Sequence, residues 1–268
     1  MRIMTALGLL ALCCLWAPNA DASCGLDQCP SDWSGEADST WSMTSMTRYT
    51  RVTDGFYVEE FVGGRRLLTS AFRAGLAAPL VYVDQAGSSH SGLGNLVGVF
   101  EYMPLGQLVR GYALGLQAEF PTATQPQLGD GHMVALPYAR GWFRSGLWNL
   151  RGQFGWGYTL DGGGHHHHHD HGHANSSAQP ATVSWVNPHS DSELLARASL
   201  GMVLHTTMIL QAGFDGVLEL GSGDQIFAGT LGFEYQGHRL TLGLVGEVPV
   251  TELRRSQGRA RLTLGWRL

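Results

Sequence analysis

The 268-residue sequence contains no lysine: its 17 basic residues are all arginine, set against 22 Asp+Glu for a formal net charge of -5. Charged residues reach only 15%, below the ~25% of an ordinary soluble domain. The mild acidity argues against a nucleic-acid partner, because binding phosphates requires clustered positive surface. Long apolar runs are missing as well. The best, Met4 to Trp16 (MTALGLLALCCLW), falls short of the ~20 residues that a membrane-spanning helix requires. Cysteine is scarce, with four in all, and Cys13 and Cys14 lie inside that run.

The opening residues form an export signal. Arg2 supplies the positive start, the apolar stretch follows, and Ala20-Asp21-Ala22 gives the small-x-small cleavage pattern. Removal of residues 1–22 leaves Cys24 and Cys29, in the stretch CGLDQC, on a short N-terminal segment spanning 23–40. In an oxidising compartment these favour a small disulfide loop. Thiolate metal ligation is the other reading, but two sulfurs make half a site. Asp21 argues against lipid modification of Cys24, since an aliphatic residue usually precedes that cysteine.

Glycine is abundant, at 37 residues, and hydrophobic residues make up 44%; this is no disordered chain. From Trp41 onward apolar residues alternate with polar or small ones. In the last ten residues Ala260, Leu262, Leu264, Trp266 and Leu268 share one face, and Arg259, Arg261, Thr263, Gly265 and Arg267 share the other. The same period of two runs through 148–158, 193–204, 210–219 and 227–235, and it is the period of a β-strand. Polar faces rich in glycine, with Arg and Asp/Glu in balance, suit a confined interior. Segments of about ten residues, apolar toward lipid and polar toward a lumen, are the pattern of a transmembrane β-barrel.

The expected strands are 41–52, 55–62, 66–83, 92–102, 108–120, 131–144, 146–160, 190–205, 207–220, 225–235, 238–248 and 258–268. This is an all-β, antiparallel up-and-down barrel of about twelve strands, with ten as the alternative count. The segments FYVEEFV and 131–144 alternate least regularly, the latter because of Arg140. Connections at 62–65, 103–107, 144–146, 205–206 and 236–237 are tight, whereas those at 84–91, 121–130, 161–189 and 249–257 are longer. Tight periplasmic turns with long extracellular loops fit a barrel in the outer membrane of a Gram-negative bacterium. A free sheet edge is untenable in lipid, so the first and last strands must pair. The closing LGWRL resembles the C-terminal signal read by the barrel-insertion machinery, with Trp266 two residues from the end.

Three further pieces carry a family resemblance: GLGNLVGVFEY (92–102), LGLQAEFPTAT (114–124) and LGDGHMVALPYARGWF (128–143). In order and spacing they resemble the outer-membrane transporter family named for the meta-cleavage pathway of phenol degradation, over about a quarter of the chain. The resemblance implies a barrel with a transport role and no particular substrate.

The longest loop contains GGGHHHHHDHGHANSS. His165, His166, His167, His168, His169, His171 and His173, with Asp170, form a donor set suited to Zn, Cu or Ni, and flexible glycines let several rings converge on one ion. The bland reading is a low-complexity expansion tolerated in an exposed loop. His90, His132 and His189 fall in or beside the same rim's loops and form a second candidate set.

Inside the barrel the strand registers aim Arg151, Arg197, Arg239, Arg259, Arg261 and Arg267 at the lumen. Glu119, Glu193, Asp215, Glu219, Glu234 and Glu247 face them. Such pairs either fill and stiffen the barrel or form a selective constriction for a small solute. The only local nucleophile–base pairings are Ser88–Ser91 with His90 and the His205-Thr206-Thr207 step, and neither has the surroundings of a nucleophile. The sequence therefore reads as a transporter- or channel-like barrel bearing a metal-binding surface loop. A non-transporting metal-buffering or adhesive barrel is the alternative, and a barrel hydrolase the remote one.

Overall fold

The computed structural model describes residues 41–53, 55–104, 110–129, 131–160, 191–237, 240–251 and 256–267. The export signal, Cys24 and Cys29, and the whole 161–189 loop lie outside them. Alternating side chains yield the strands β1 (Trp41–Val52), β2 (Gly55–Leu67), β3 (Phe72–Gln85), β4 (Ser88–Leu93), β5 (Leu96–Tyr102) and β6 (Arg110–Phe120). A 3-10 turn at Pro126–Leu128 precedes β7 (Val134–Ser145) and β8 (Trp148–Thr159). The chain finishes with β9 (Ser192–His205), β10 (Met208–Glu219), β11 (Gln225–Gln236), β12 (Leu240–Pro249) and β13 (Gly258–Arg267).

Each strand runs antiparallel to its neighbours, and β1 pairs with β13 from Ser42↔Arg267 to Arg51↔Gly258. With β2 joined to β3, the sheet closes on itself. β4 pairs with one end of β3 (Leu80↔Leu93 to Gln85↔Ser88) and β5 with the other (Phe72↔Tyr102 to Ala77↔Val97). These two short strands are one stave broken at Gly94-Asn95. The result is a closed, twelve-stave transmembrane β-barrel, and the ten-strand alternative is set aside. One rim, the terminal rim, carries both ends of the wall and the turns at 68–71, 146–147 and 206–207. The opposite rim, the loop rim, carries the turn at 86–87, the segments 121–129 and 131–133, and Leu160 and Asp191.

Two expected connections are corrected. VGGR (62–65) does not turn; β2 continues through it, with Gly63 opposite Ala77 and Gly64 opposite Leu76. Its glycines imitate a turn, but Arg65 points inward, 8% exposed, and Arg66 points outward over the Trp41 ring at 5.3 Å, so the period of two persists. The segment 84–91 is not a long loop either. Ala86 (φ 46°) and Gly87 (φ 82°) make a two-residue hairpin turn of the kind that matches strand twist, and the serines after it extend β4. His90 is thus a strand residue.

Outward side chains form an apolar wall. Leu76, Leu114, Leu231 and Leu244 are all more than half exposed, a surface that belongs against hydrocarbon. Aromatic residues collect at both ends of it. Trp41, Tyr112, Trp148 and Trp266 ring the terminal rim; Tyr49, Tyr82, Trp156 and Tyr158 ring the loop rim. Trp148 and Tyr158 lie ten residues apart on β8, about 26 Å along the barrel axis for a rise of ~3.4 Å per residue and a ~40° tilt. That matches the ~25 Å apolar band of outer-membrane barrels. Midway along β2, Glu60 also faces outward, where its carboxylate accepts hydrogen bonds from the Ser45 and Thr47 hydroxyls of β1.

Thr263 is buried while Leu262 and Trp266 are exposed, which sets the register of β13. Leu264→Arg should therefore lower the folding free energy in lipid vesicles by about 2–4 kcal/mol, read from urea titration. Thr263→Val, on the lumen side, should change it far less.

Candidate functional site

The lumen is divided lengthwise. Along β1–β7 the inward side chains are largely apolar and fill the space. Met46, Phe61 and Val97 pack together at mid-height, and Ala113 packs with Trp142 toward the terminal rim. Tyr138 lies across β6 at Gly115, where a Cβ would come within 2.3 Å of its ring; only glycine lets the aromatic side chain lie flat on that strand.

Near the loop rim the 121–129 segment folds into the mouth. Leu128, fully buried, plugs a socket made by Val52, Tyr57, Val81 and Val83. The segment is pinned by polar contacts that imitate strand pairing. Thr124 N donates to Leu93 O at 2.9 Å, Leu96 N donates to Thr122 Oγ1 at 2.8 Å, and Gln125 Nε2 donates to Ser91 O at 3.0 Å. Asn95 binds on both sides, donating to Glu119 Oε1 at 2.9 Å and accepting from Ala123 N at 3.2 Å. Gly92 leaves just enough room, since a Cβ there would stand 2.3 Å from Thr124 Oγ1. The sequence pieces GLGN and EFPTAT and the Leu128-Gly129 start of LGDG, separate along the chain, thus meet in one folded mouth.

Along β8–β13 the lumen is polar. A chamber lies here, lined by Arg151, Arg197, Arg261, Asp215 and Glu234, with Gln211, Ser199, Thr230, Thr241 and Thr263 between them. Arg151 Nη1 donates to Glu234 Oε2 at 2.7 Å, the Arg197 guanidinium is bidentate on Asp215, and Arg259 Nη1 lies 3.5 Å from Glu247 Oε1. Glu193 is 1% exposed at the loop-rim start of β9, and Glu219 ends β10 beside Ser222. Arg239 and the Arg267 side chain lie outside the described residues.

Sequence reasoning missed a second group of lumen charges, on the filled side. Arg48 pairs with Glu59, and Arg140 pairs with Glu101, whose Oε1 also accepts the Tyr138 hydroxyl at 2.7 Å. Arg48 stacks on Phe61 and Arg140 on Trp142, at 5.4 and 5.7 Å. One clue was available: in Glu59-Glu60 adjacent carboxylates must face opposite sides of the wall. Buried pairs of this kind fix the facing strands and their rotamers, and they are poor candidates for transport contacts because solvent does not reach them.

The histidines are dispersed. His90 Nδ1 is 3.1 Å from Gln125 Oε1, linking β4 to the folded mouth. His132 lies just before β7; His189 and the 165–173 tract lie outside the described residues. No group of three or more His, Cys, Asp or Glu placed to hold a metal occurs among the described residues. Ser88 Oγ donates to Gln85 O at 3.0 Å, and His205 Nδ1 sits 3.2 Å from Thr206 Oγ1 and 3.3 Å from Thr207 Oγ1, in an exposed turn.

A closed antiparallel barrel with an apolar belt, aromatic girdles and a charged lumen has the architecture of outer-membrane β-barrels. Among solved structures, an outer membrane channel from Pseudomonas putida F1 matches with a TM-score of 0.65 at 10% identity, covering 90% of this chain and 100% of that one. The NanC porin (TM-score 0.52, 7% identity, 84% and 100% covered) and the KdgM porin (0.51, 9%, 85% and 99%) share the fold. No protein-family model matches the chain, and no curated protein does. At these identities the likeness concerns the fold.

Two variants test the filled side. Glu101→Ala strands Arg140 in a buried site and should cost about 3–5 kcal/mol, seen as a lower urea midpoint in detergent. Leu128→Ala should cost about 2–5 kcal/mol and expose the 121–129 segment to limited proteolysis while the barrel stays folded.

Proposed function

We propose that the chain is an outer-membrane channel of a Gram-negative bacterium, passing small polar solutes through the corridor between β8–β13 and the filled side. The polar chamber inside a closed barrel carries this reading: a wall built only to be stiff would not leave hydroxyl, amide and guanidinium groups facing open space. The solved outer membrane channel with the same fold supports it. The terminal rim, with its tight turns, faces the periplasm, and the loop rim faces the exterior. Lipid surrounds the belt, and the insertion machinery engages β13 during assembly.

The histidine tract adds a metal function in this proposal. His165 to His169, Asp170, His171 and His173 would hold Zn, Cu or Ni at the outer mouth, where an ion is cargo or a modulator of passage. The imidazoles must be neutral to bind, so capture weakens as pH falls below roughly 6.5.

Solute flux into liposomes, with single-channel recording, tests the channel. Refolded barrels should conduct, and a sealed barrel that still binds metal would favour the buffering alternative. Deleting residues 165–173 should abolish most Zn or Ni binding in isothermal titration while leaving the heat-modified gel mobility of the folded barrel unchanged.

A further inference from the structure

The lumen's charges are sorted along its axis as well as around its wall. Take the inward side chains within four residues of each strand end. Among the described charged residues, at the loop rim these are Glu119 near the end of β6, Glu193 opening β9, Glu219 ending β10 and Glu247 near the end of β12, against Arg259 and Arg261 on β13. At the terminal rim they are Arg65 near the end of β2, Arg73 opening β3, Arg144 ending β7 and Arg151 on β8, against Glu101 and Glu234. Inward placement follows from burial or from register: Arg73 stands opposite buried Glu101, and Arg144 opposite buried Asn149. Among the described residues the outward and rim charges run the same way, with Asp84, Asp191 and Asp224 against Arg51 at the loop rim and Arg66 and Arg110 at the terminal rim. Between the two zones lie the neutral pairs Arg48–Glu59 and Arg197–Asp215.

Resting on the channel reading above, we infer that the pore is an electrical rectifier with a carboxylate zone at the loop rim and a guanidinium zone at the terminal rim. Mobile cations concentrate in the first zone and mobile anions in the second, because the net fixed charge of each zone, acidic at one rim and basic at the other, sets the potential in the water beside it. A field that is positive on the loop-rim side drives cations in through the carboxylate zone and anions in through the guanidinium zone. Both then fill the middle, and current rises. The opposite field empties the middle of both ions, and current falls. Ions of either sign are carried, and polarity sets the throughput. Neither the filled side nor the paired charges need move for this to happen.

The experiment is current–voltage recording on single refolded barrels in planar bilayers. Orientation is marked by Ser222→Cys labelled from one chamber with an impermeant maleimide, in a chain whose Cys24 and Cys29 are replaced by Ser. At ~0.1 M salt, where the screening length is ~10 Å, current with the loop rim positive should exceed the reverse current about twofold. At ~1 M salt the screening length shrinks to ~3 Å and the two should converge. Glu193→Gln with Glu219→Gln should reduce the asymmetry from one end, and Arg73→Gln with Arg144→Gln should reduce it from the other. Linear currents at ~0.1 M salt, the opposite preferred polarity, or an asymmetry that survives ~1 M salt and both pairs of substitutions would overturn the inference. A barrel that conducts linearly refutes the rectifier alone; a barrel that never conducts refutes the channel reading and the rectifier with it.

Discussion

Hydrocarbon offers no partner to a backbone amide, and every other feature of this barrel follows from that constraint. A sheet in such surroundings must have no edge, which the continuous ladder between β1 and β13 achieves. Once the wall is closed its two faces acquire different solvents. The outer face must be apolar, and leucines, valines and aromatic residues supply that. The inner face is free to be apolar, charged or hollow, and this chain uses all three. Even the outward-facing Glu60 obeys the same accounting of polar groups, since two hydroxyls on the neighbouring strand satisfy its carboxylate.

How far the sequence could be read depended on which solvent each face met. From β8 to β13 the inside is polar, so the two faces contrast and the strands stand out in the alternation of residues such as Leu194, Ala196 and Leu200 against Glu193, Arg197 and Ser199. From β1 to β7 the inside is packed with Met46, Phe61, Val97, Leu136 and Tyr138, so both faces are apolar and the contrast fades. The misplaced turn at 62–65, the unbroken reading of 92–102 and the trouble with Arg140 all fall in that half. Arg140 is not a lapse in the pattern. It is an inward side chain on a strand whose neighbouring inward residues, Leu136, Tyr138 and Trp142, are apolar.

The candidate site divides along the same line. Arg151, Arg197, Arg259 and their carboxylate partners lie on two-faced strands, where a register alone indicates the inward direction. Arg140–Glu101 could not be found that way, because the two stand on β7 and β5 and meet across the intervening β6; Arg48 faces Glu59 across the β1–β2 hairpin, but apolar inward neighbours such as Met46 and Phe61 hide the inward direction there. The meeting of Asn95, Glu119, Ala123 and Leu128 at the mouth was beyond local patterning too. The pieces were visible as motifs, yet their common purpose emerges only when the stave broken at Gly94-Asn95 brings them into contact.

The seat of Leu128 has a mechanical consequence. Its knob belongs to the connection between β6 and β7, whereas its socket is built by β1, β2 and β3. The contact therefore ties the β6–β7 connection, over the intervening β4–β5 stave, to the arc of β1–β3, as a brace set across a corner of a frame keeps the frame from racking. Thermal ovalisation of the mouth is damped on the braced side, and the free opening is displaced toward the arc that carries the guanidinium-lined hollow.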